Sequence, residues 1–220
     1  MNTMEKLNYE AVVISVDSVL FDLNTFKQQV YAQVMAKHQL EVHPYFFELL
    51  LDGGYQQTER AYIHYNQYRA IRKELEETYD NALQEALDNN EIKPYPESIE
   101  FINWISKLDL KLGFISSYHR KIVEQLIDKY PVNLKIDALI AGNEVFEGKP
   151  EKDIYSKVAK KLKADPHYTL AIDATVNGVQ GAYLSNMMSV YVEIHKLRVE
   201  KAQKFSNFQC PSLHRVKSLI

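Results

Sequence analysis

The sequence predicts an α/β fold: a doubly wound parallel sheet with helices on both faces, and an α-helical cap inserted after the first strand. Three observations carry this prediction. Short apolar runs rich in β-branched residues recur along the chain. Helical patterns lie between them, and strand and helix in alternation argue for a parallel sheet covered on both faces. One segment, 23–92, breaks the alternation and reads as helix throughout. A chain of 220 residues can bury one large core, or a core domain with a smaller insertion.

The first strand is Ala11–Ile14, a wholly apolar run of the kind buried on both faces. It leads into the polar stretch Ser15-Val16-Asp17-Ser18. After Leu23 come TFKQQVYAQVMAKHQL and TERAYIHYNQYRAIRKELEETYDNALQEAL, both helical and polar. Tyr62, Tyr65, Tyr68 and Arg69 lie there at near-helical spacing, a face expected to pack rather than to bind. Ile92-Lys93-Pro94-Tyr95-Pro96 leaves the segment through two prolines, a stiff connection. The expected division is therefore 1–22 with 93–220 as the α/β core, and 23–92 as the cap. Pro96 and Glu97 signal a helix start, and Phe101, Ile102, Ile105 and Leu108 give it an apolar face. Leu110–Ile115 is the second strand. Ile122, Val123, Leu126, Ile127 and Tyr130 mark the next helix, and Ala138–Ile140 the third strand. Ile154, Tyr155, Val158, Ala159 and Leu162 form another helical face, followed by strands at Thr169–Ile172 and Ser189–Val192. Ligands of such sheets bind beyond the carboxyl ends of the strands, so the loops there are the place to seek chemistry.

Composition narrows the function classes. A net charge of −3, from 26 basic and 29 acidic residues, gives no signal for nucleic acid. No apolar run is long enough for a membrane span, and no apolar signal region opens the chain, so no membrane partner is expected and cytoplasm is the default. Cys210 is the single cysteine, so no internal disulfide forms and a packed thiol is expected. The 7 histidines lack any HxxxH spacing, so none is assigned a metal or catalytic role.

Four stretches carry a family resemblance, in order: ISVDSVLFDL, KLGFISSYHR, FEGKPEKDIY and LAIDATVNGVQGA. Each alone is weak; together they are specific. The chain resembles the haloacid dehalogenase-like (HAD-like) hydrolases, in their β-phosphoglucomutase and phosphoglycolate phosphatase branch, over nearly its whole length. The resemblance implies a Rossmann-like core with a cap that closes over it, hinged near Leu23 and near Lys93–Pro96. Alignment on Val19-Leu20-Phe21-Asp22 places Ser15 at the family's nucleophile, Asp17 at its general acid/base and Ser18 at its glycine. Ser116, with Ser117 at the following helix start, and Lys149 fall on phosphate-binding positions. Asp173-Ala174-Thr175 falls on the motif that helps to hold magnesium.

In the family an Asp attacks phosphorus, a second Asp shuttles the proton, Ser or Thr and Lys hold the phosphoryl oxygens, and Mg2+ sits on carboxylates. This chain departs at two of those positions. Ser15 replaces both a nucleophile and a metal ligand, and Ala174 replaces another ligand. The leading expectation is thus a catalytically impaired member that binds a small phosphorylated molecule or phosphate ion, or acts as an interaction module. No cofactor is expected on that reading. The alternative is an active magnesium-dependent phosphatase or phosphomutase on a small phosphorylated metabolite, with Asp17 and Asp173 as the residues left for the metal. A register shift that makes Asp17 the nucleophile would break the Val19–Asp22 match and put Val19 at the acid/base position. A third reading is an interaction protein whose tyrosine-rich cap face meets a partner or a second copy; oligomeric state stays open.

Overall fold

The structure, a computed structural model, describes residues 8–50, 53–129, 136–194 and 199–220. Its centre is a sheet of six strands: β1 (Ala11–Ser15), β2 (Lys111–Ile115), β3 (Ala138–Ile140), β4 (Thr169–Asp173), β5 (Met188–Val192) and β6 (Phe208–Cys210). Their order is β3-β2-β1-β4-β5-β6, and every neighbouring pair is parallel. This is the doubly wound order, and it reverses direction at β1, which creates a crevice at the carboxyl ends of β1 and β4.

A purely parallel sheet must be covered on both faces, and the alternation of side chains along β1 shows how. Val12 and Ile14 join the cluster that holds Phe101, Ile105 and Val123. Ala11 and Val13 point the other way, into a cluster with Ile154, Val158 and Leu162. All five residues of β1 and of β4 are buried, which is why these strands read as unbroken apolar runs.

The helices are α1 (Leu23–Lys37), α2 (Pro44–Leu50), α3 (Tyr55–His64), α4 (Arg72–Asp88), α5 (Pro96–Ile105), α6 (Arg120–Lys129), α7 (Asp153–Leu162), α8 (Val176–Leu184), α9 (Val199–Ala202) and α10 (Leu213–Val216). Among the described residues between β1 and α5, only helices and turns occur, apart from an antiparallel bridge between Phe21 and Pro94. That bridge ties the chain leaving the sheet to the chain returning, and the Tyr95 N–H donates to Leu20 O at 2.9 Å beside it. Asp22 caps α1 by accepting from the Thr25 N–H at 2.9 Å. The tyrosine face is packed: Tyr62, Tyr65 and Tyr68 are buried around Phe46. Arg69 is exposed, and it is Arg72 that lies 4.7 Å from the Tyr62 ring centroid while pairing with Glu59 and Glu76.

Several boundaries differ from the sequence reading. β1 and β4 each run one residue further, to Ser15 and Asp173. The polar stretch after β1 is a buried π-helical turn, Val16–Leu20. α5 stops before Leu108, and α6 starts at Arg120 rather than directly after Ser117. Strand β6 was not anticipated; three residues, of which only Cys210 is buried, give no periodic signal. Tyr130 and the first seven residues lie outside the described residues. Among the described residues no helix is long and apolar enough to cross a membrane.

Candidate functional site

The carboxyl ends of β1, β2 and β4 bring the singled-out residues together in two groups. The first surrounds Asp173, at the end of β4. Its Oδ2 accepts from Lys149 Nζ and from the Tyr155 hydroxyl, each at 2.9 Å. Its Oδ1 accepts from Ser18 Oγ at 3.0 Å, and from Thr175 N and Oγ1 at 2.9 and 2.8 Å. A carboxylate offers about four lone-pair sites, so these donors saturate it. Thr175 also caps α8, its Oγ1 accepting from the Gly178 N–H at 3.0 Å. Gly178 has to be glycine for this arrangement, because a Cβ there would stand 2.0 Å from Asp173 Cγ.

Lys149 comes from the loop between β3 and α7, and neither its side chain nor that of Asp173 has exposed surface. Its ammonium also donates to Ser15 Oγ at 3.0 Å. Ser15 and Ser18 hydroxyls are 3.0 Å apart. Each hydroxyl has one proton to give. The orientation that satisfies all the contacts runs from Lys149 to Ser15, from Ser15 to Ser18, and from Ser18 to Asp173. The ring is closed and internally neutral. Ala174 is buried beside it and offers only a methyl group.

The second group surrounds Asp17, in the turn after β1. Its Oδ2 accepts from the Ser117 N–H at 3.0 Å. Its Oδ1 is buried and has no hydrogen-bond partner among the described residues. Ser116 is buried, and its Oγ accepts from the Tyr118 N–H at 3.1 Å. Two of the groups expected to hold phosphate thus donate within the protein, Lys149 to Asp173 and Ser15 and the Ser117 N–H to Asp17, whereas Ser116 Oγ accepts from Tyr118.

Magnesium takes hard oxygen ligands in a near-octahedral shell. Ser15 is a neutral hydroxyl that accepts a hydrogen bond from the Lys149 ammonium, the Ala174 side chain has no donor atom, and both oxygens of Asp173 are saturated. Asp17 Oδ1 is the one uncommitted carboxylate oxygen of these four positions. The residues present do not fit the metal that the resemblance implies.

Cap and core enclose a cleft of about 560 Å³, lined among others by Lys27, Tyr31, Glu76, Tyr79 and Asp80 of the cap and by Ser117 and Tyr118 of the core. The Tyr79 and Tyr118 hydroxyls meet across it at 2.5 Å. Burial pushes the Tyr79 hydroxyl well above its ordinary pKa, the Tyr118 bond pulls it back, and the Asp17 charge pushes it up again. Lys27 Nζ lies 5.5 Å from the Tyr31 ring centroid and 5.1 Å from that of Tyr79. Burial lowers the pKa of Lys27, against the pull of Glu76 and Asp80. Beside Lys149, the Gly54 N–H of the cap donates to Lys149 O at 2.8 Å, so the cap touches the loop that delivers the lysine.

Sequence reasoning missed Tyr155 as a partner of Asp173. In FEGKPEKDIY it reads as one more apolar position on the buried face of α7. It also missed the donor roles of Ser18 and Thr175, although Thr175 before an apolar helix start is a capping signal.

Comparison with known proteins agrees with the fold. The family model for haloacid dehalogenase-like hydrolases matches residues 12–192. A phosphorylated carbohydrates phosphatase of Thermotoga maritima is 21% identical over 197 residues, covering 88% of this chain and 89% of that protein. The crystal structure of a hydrolase from Pseudomonas syringae gives a TM-score of 0.77 at 15% identity, over 96% of this chain and 99% of that one. That of β-phosphoglucomutase from Clostridium difficile gives 0.73 at 16% identity, over 96% of each chain.

Proposed function

The chain belongs to the haloacid dehalogenase-like hydrolase family, and we propose that this member has given up phosphoryl transfer and acts as a non-hydrolytic binding module. One observation carries the reading. The corner where the family's chemistry would start is a closed ring of Lys149, Ser15, Ser18 and Asp173, with no carboxylate at the nucleophile position. A serine hydroxyl needs a general base to attack phosphorus. Ser15 has an ammonium on one side and a hydroxyl on the other, so no base contacts it directly, and the carboxylate beyond Ser18, Asp173, already accepts from Lys149, Tyr155 and Thr175. Loss of a nucleophile costs roughly 10⁴- to 10⁶-fold in rate where the chemistry depends on it.

The cap–core cleft supports the binding half of the reading, since its volume falls in the range of small-molecule sites, about 300–1,000 Å³. A phosphorylated ligand that used Lys149 or Ser117 would have to displace Asp173 or Asp17 from them. The alternative, an active phosphatase, draws on Asp17, whose buried Oδ1 is uncommitted. Calorimetric titration of the purified protein with Mg2+ tests the loss of the metal site. The expected result is no stoichiometric binding below the millimolar range. A one-to-one Mg2+ site that disappears in Asp17→Ala would favour the enzyme.

A further inference from the structure

We infer that the cleft between cap and core selects a small ligand bearing a protonated amine, which pairs with Asp17 and offsets part of the negative charge that Asp17, Glu76 and Asp80 place there, rather than an anionic phosphate ester. This deepens the binding reading above and rests on it.

Charge is the first reason. Glu76 and Asp80 line the cleft, and Asp17 lies directly behind Ser117, its Oδ2 3.0 Å from the Ser117 N–H. Against these three carboxylates, of which Asp17 stands behind the lining, the cleft sets one ammonium, Lys27, and one imidazole, His119. Lys149 contributes nothing outward, because its charge is matched by Asp173 at 2.9 Å. Arg72 is likewise shared between Glu59 and Glu76. A phosphate dianion would therefore enter a site that already carries excess negative charge, with no metal donor set to offset it.

The second reason is independent of the count. Asp17 is fully buried, and its Oδ1 has no hydrogen-bond partner among the described residues. A buried acceptor left unmatched is costly, and a charged donor is its strongest partner. A neutral hydroxyl satisfies the acceptor and leaves the charge.

The walls are suited to the same cation. Lys27 shows this within the molecule, its ammonium lying over the Tyr31 and Tyr79 rings. Aromatic faces attract cations through their quadrupole, most strongly where water is excluded. Asp17 adjoins this wall through Ser117, which lines the same cleft as Tyr79 and whose N–H donates to Asp17 Oδ2 at 3.0 Å.

The test is an NMR titration of the full chain at low salt with pentylamine, its neutral isostere pentanol, and inorganic phosphate. The expected result is saturable binding of pentylamine, with shifts at Ser117 and Tyr79, and binding of pentanol and phosphate at least tenfold weaker. Asp17→Asn or Asp80→Asn should weaken the amine by about tenfold or more, the worth of a charged hydrogen bond. Asp80 is exposed, so Asp80→Asn serves even where Asp17→Asn fails to fold. Tighter binding of phosphate or pentanol than of pentylamine, or amine binding untouched by both variants, overturns the inference. Aryl phosphate hydrolysis measured on the same samples separates the two claims: turnover would remove the non-hydrolytic reading, while the titration alone decides the ligand class.

Discussion

Lys149→Met removes the ammonium from the buried ring and leaves most of the side chain's stem in place, so it isolates the charge. In the native chain Lys149 Nζ lies 2.9 Å from Asp173 Oδ2, and both side chains have no exposed surface. Breaking a buried ion pair by deleting one partner costs about 3–5 kcal/mol, because the other charge stays behind unmatched. Asp173 keeps Tyr155, Ser18 and both Thr175 donors, which places the expected loss near the lower end, about 3 kcal/mol. Urea unfolding followed by circular dichroism reads this as a midpoint shift of roughly 1–2 M at unchanged slope. Asp173→Asn should cost a comparable amount, because its amide would face two donors, Lys149 Nζ and the Tyr155 hydroxyl. The double variant should then be less destabilised than the sum, with a coupling energy above about 1.5 kcal/mol. A loss under about 1 kcal/mol for Lys149→Met, with no coupling, would show the pair to behave like an exposed ion pair and would refute the closed ring.

Two other perturbations follow from the same geometry. Gly178→Ala should destabilise by at least about 2 kcal/mol in urea unfolding, although alanine is the better helix former, because the new Cβ meets Asp173 Cγ at 2.0 Å. Glu144 holds the loop that delivers Lys149, accepting from the Ala141 N–H at 2.7 Å and from Arg120 at 2.6 Å. Burial works against its charge, but those two donors outweigh it and keep its carboxyl below the usual pKa. A lowered folded-state pKa gives stability that is present above the unfolded value and lost as pH falls through the folded one. Glu144→Gln should therefore cost about 1 kcal/mol at neutral pH and progressively less in acid, as stability measured from pH 7 down to pH 3 would show.

The sheet was legible because strands buried on both faces write themselves as apolar runs; AVVI and TLAI could hardly be anything else between helical patterns. The convergence of Ser15, Ser116 and Asp173 was legible for a related reason. Each stands at or just after the carboxyl end of a strand, and parallel order at a switch point brings those ends together. What the one-dimensional pattern does not carry is the state of each polar atom. Nothing in FEGKPEKDIY separates a tyrosine whose ring fills the core from one whose hydroxyl also holds Asp173, since both lie on the apolar face of α7. Nor does the motif tell whether Lys149 faces a ligand or a carboxylate of its own chain. That depends on its partners Ser15 and Asp173, both more than twenty residues away in the chain. The short edge strand β6 was missed because three residues before a proline, two half-covered and one buried, have no period to read.

The central claim is that the site no longer transfers phosphoryl groups, and hydrolysis of p-nitrophenyl phosphate by the purified protein, with saturating Mg2+ and Asp17→Ala as its control, tests it most directly. The account predicts a rate for the native chain that does not rise above that of the control. A magnesium-dependent rate that vanishes in Asp17→Ala would contradict it, and would make Asp17 the group that attacks phosphorus or moves the proton.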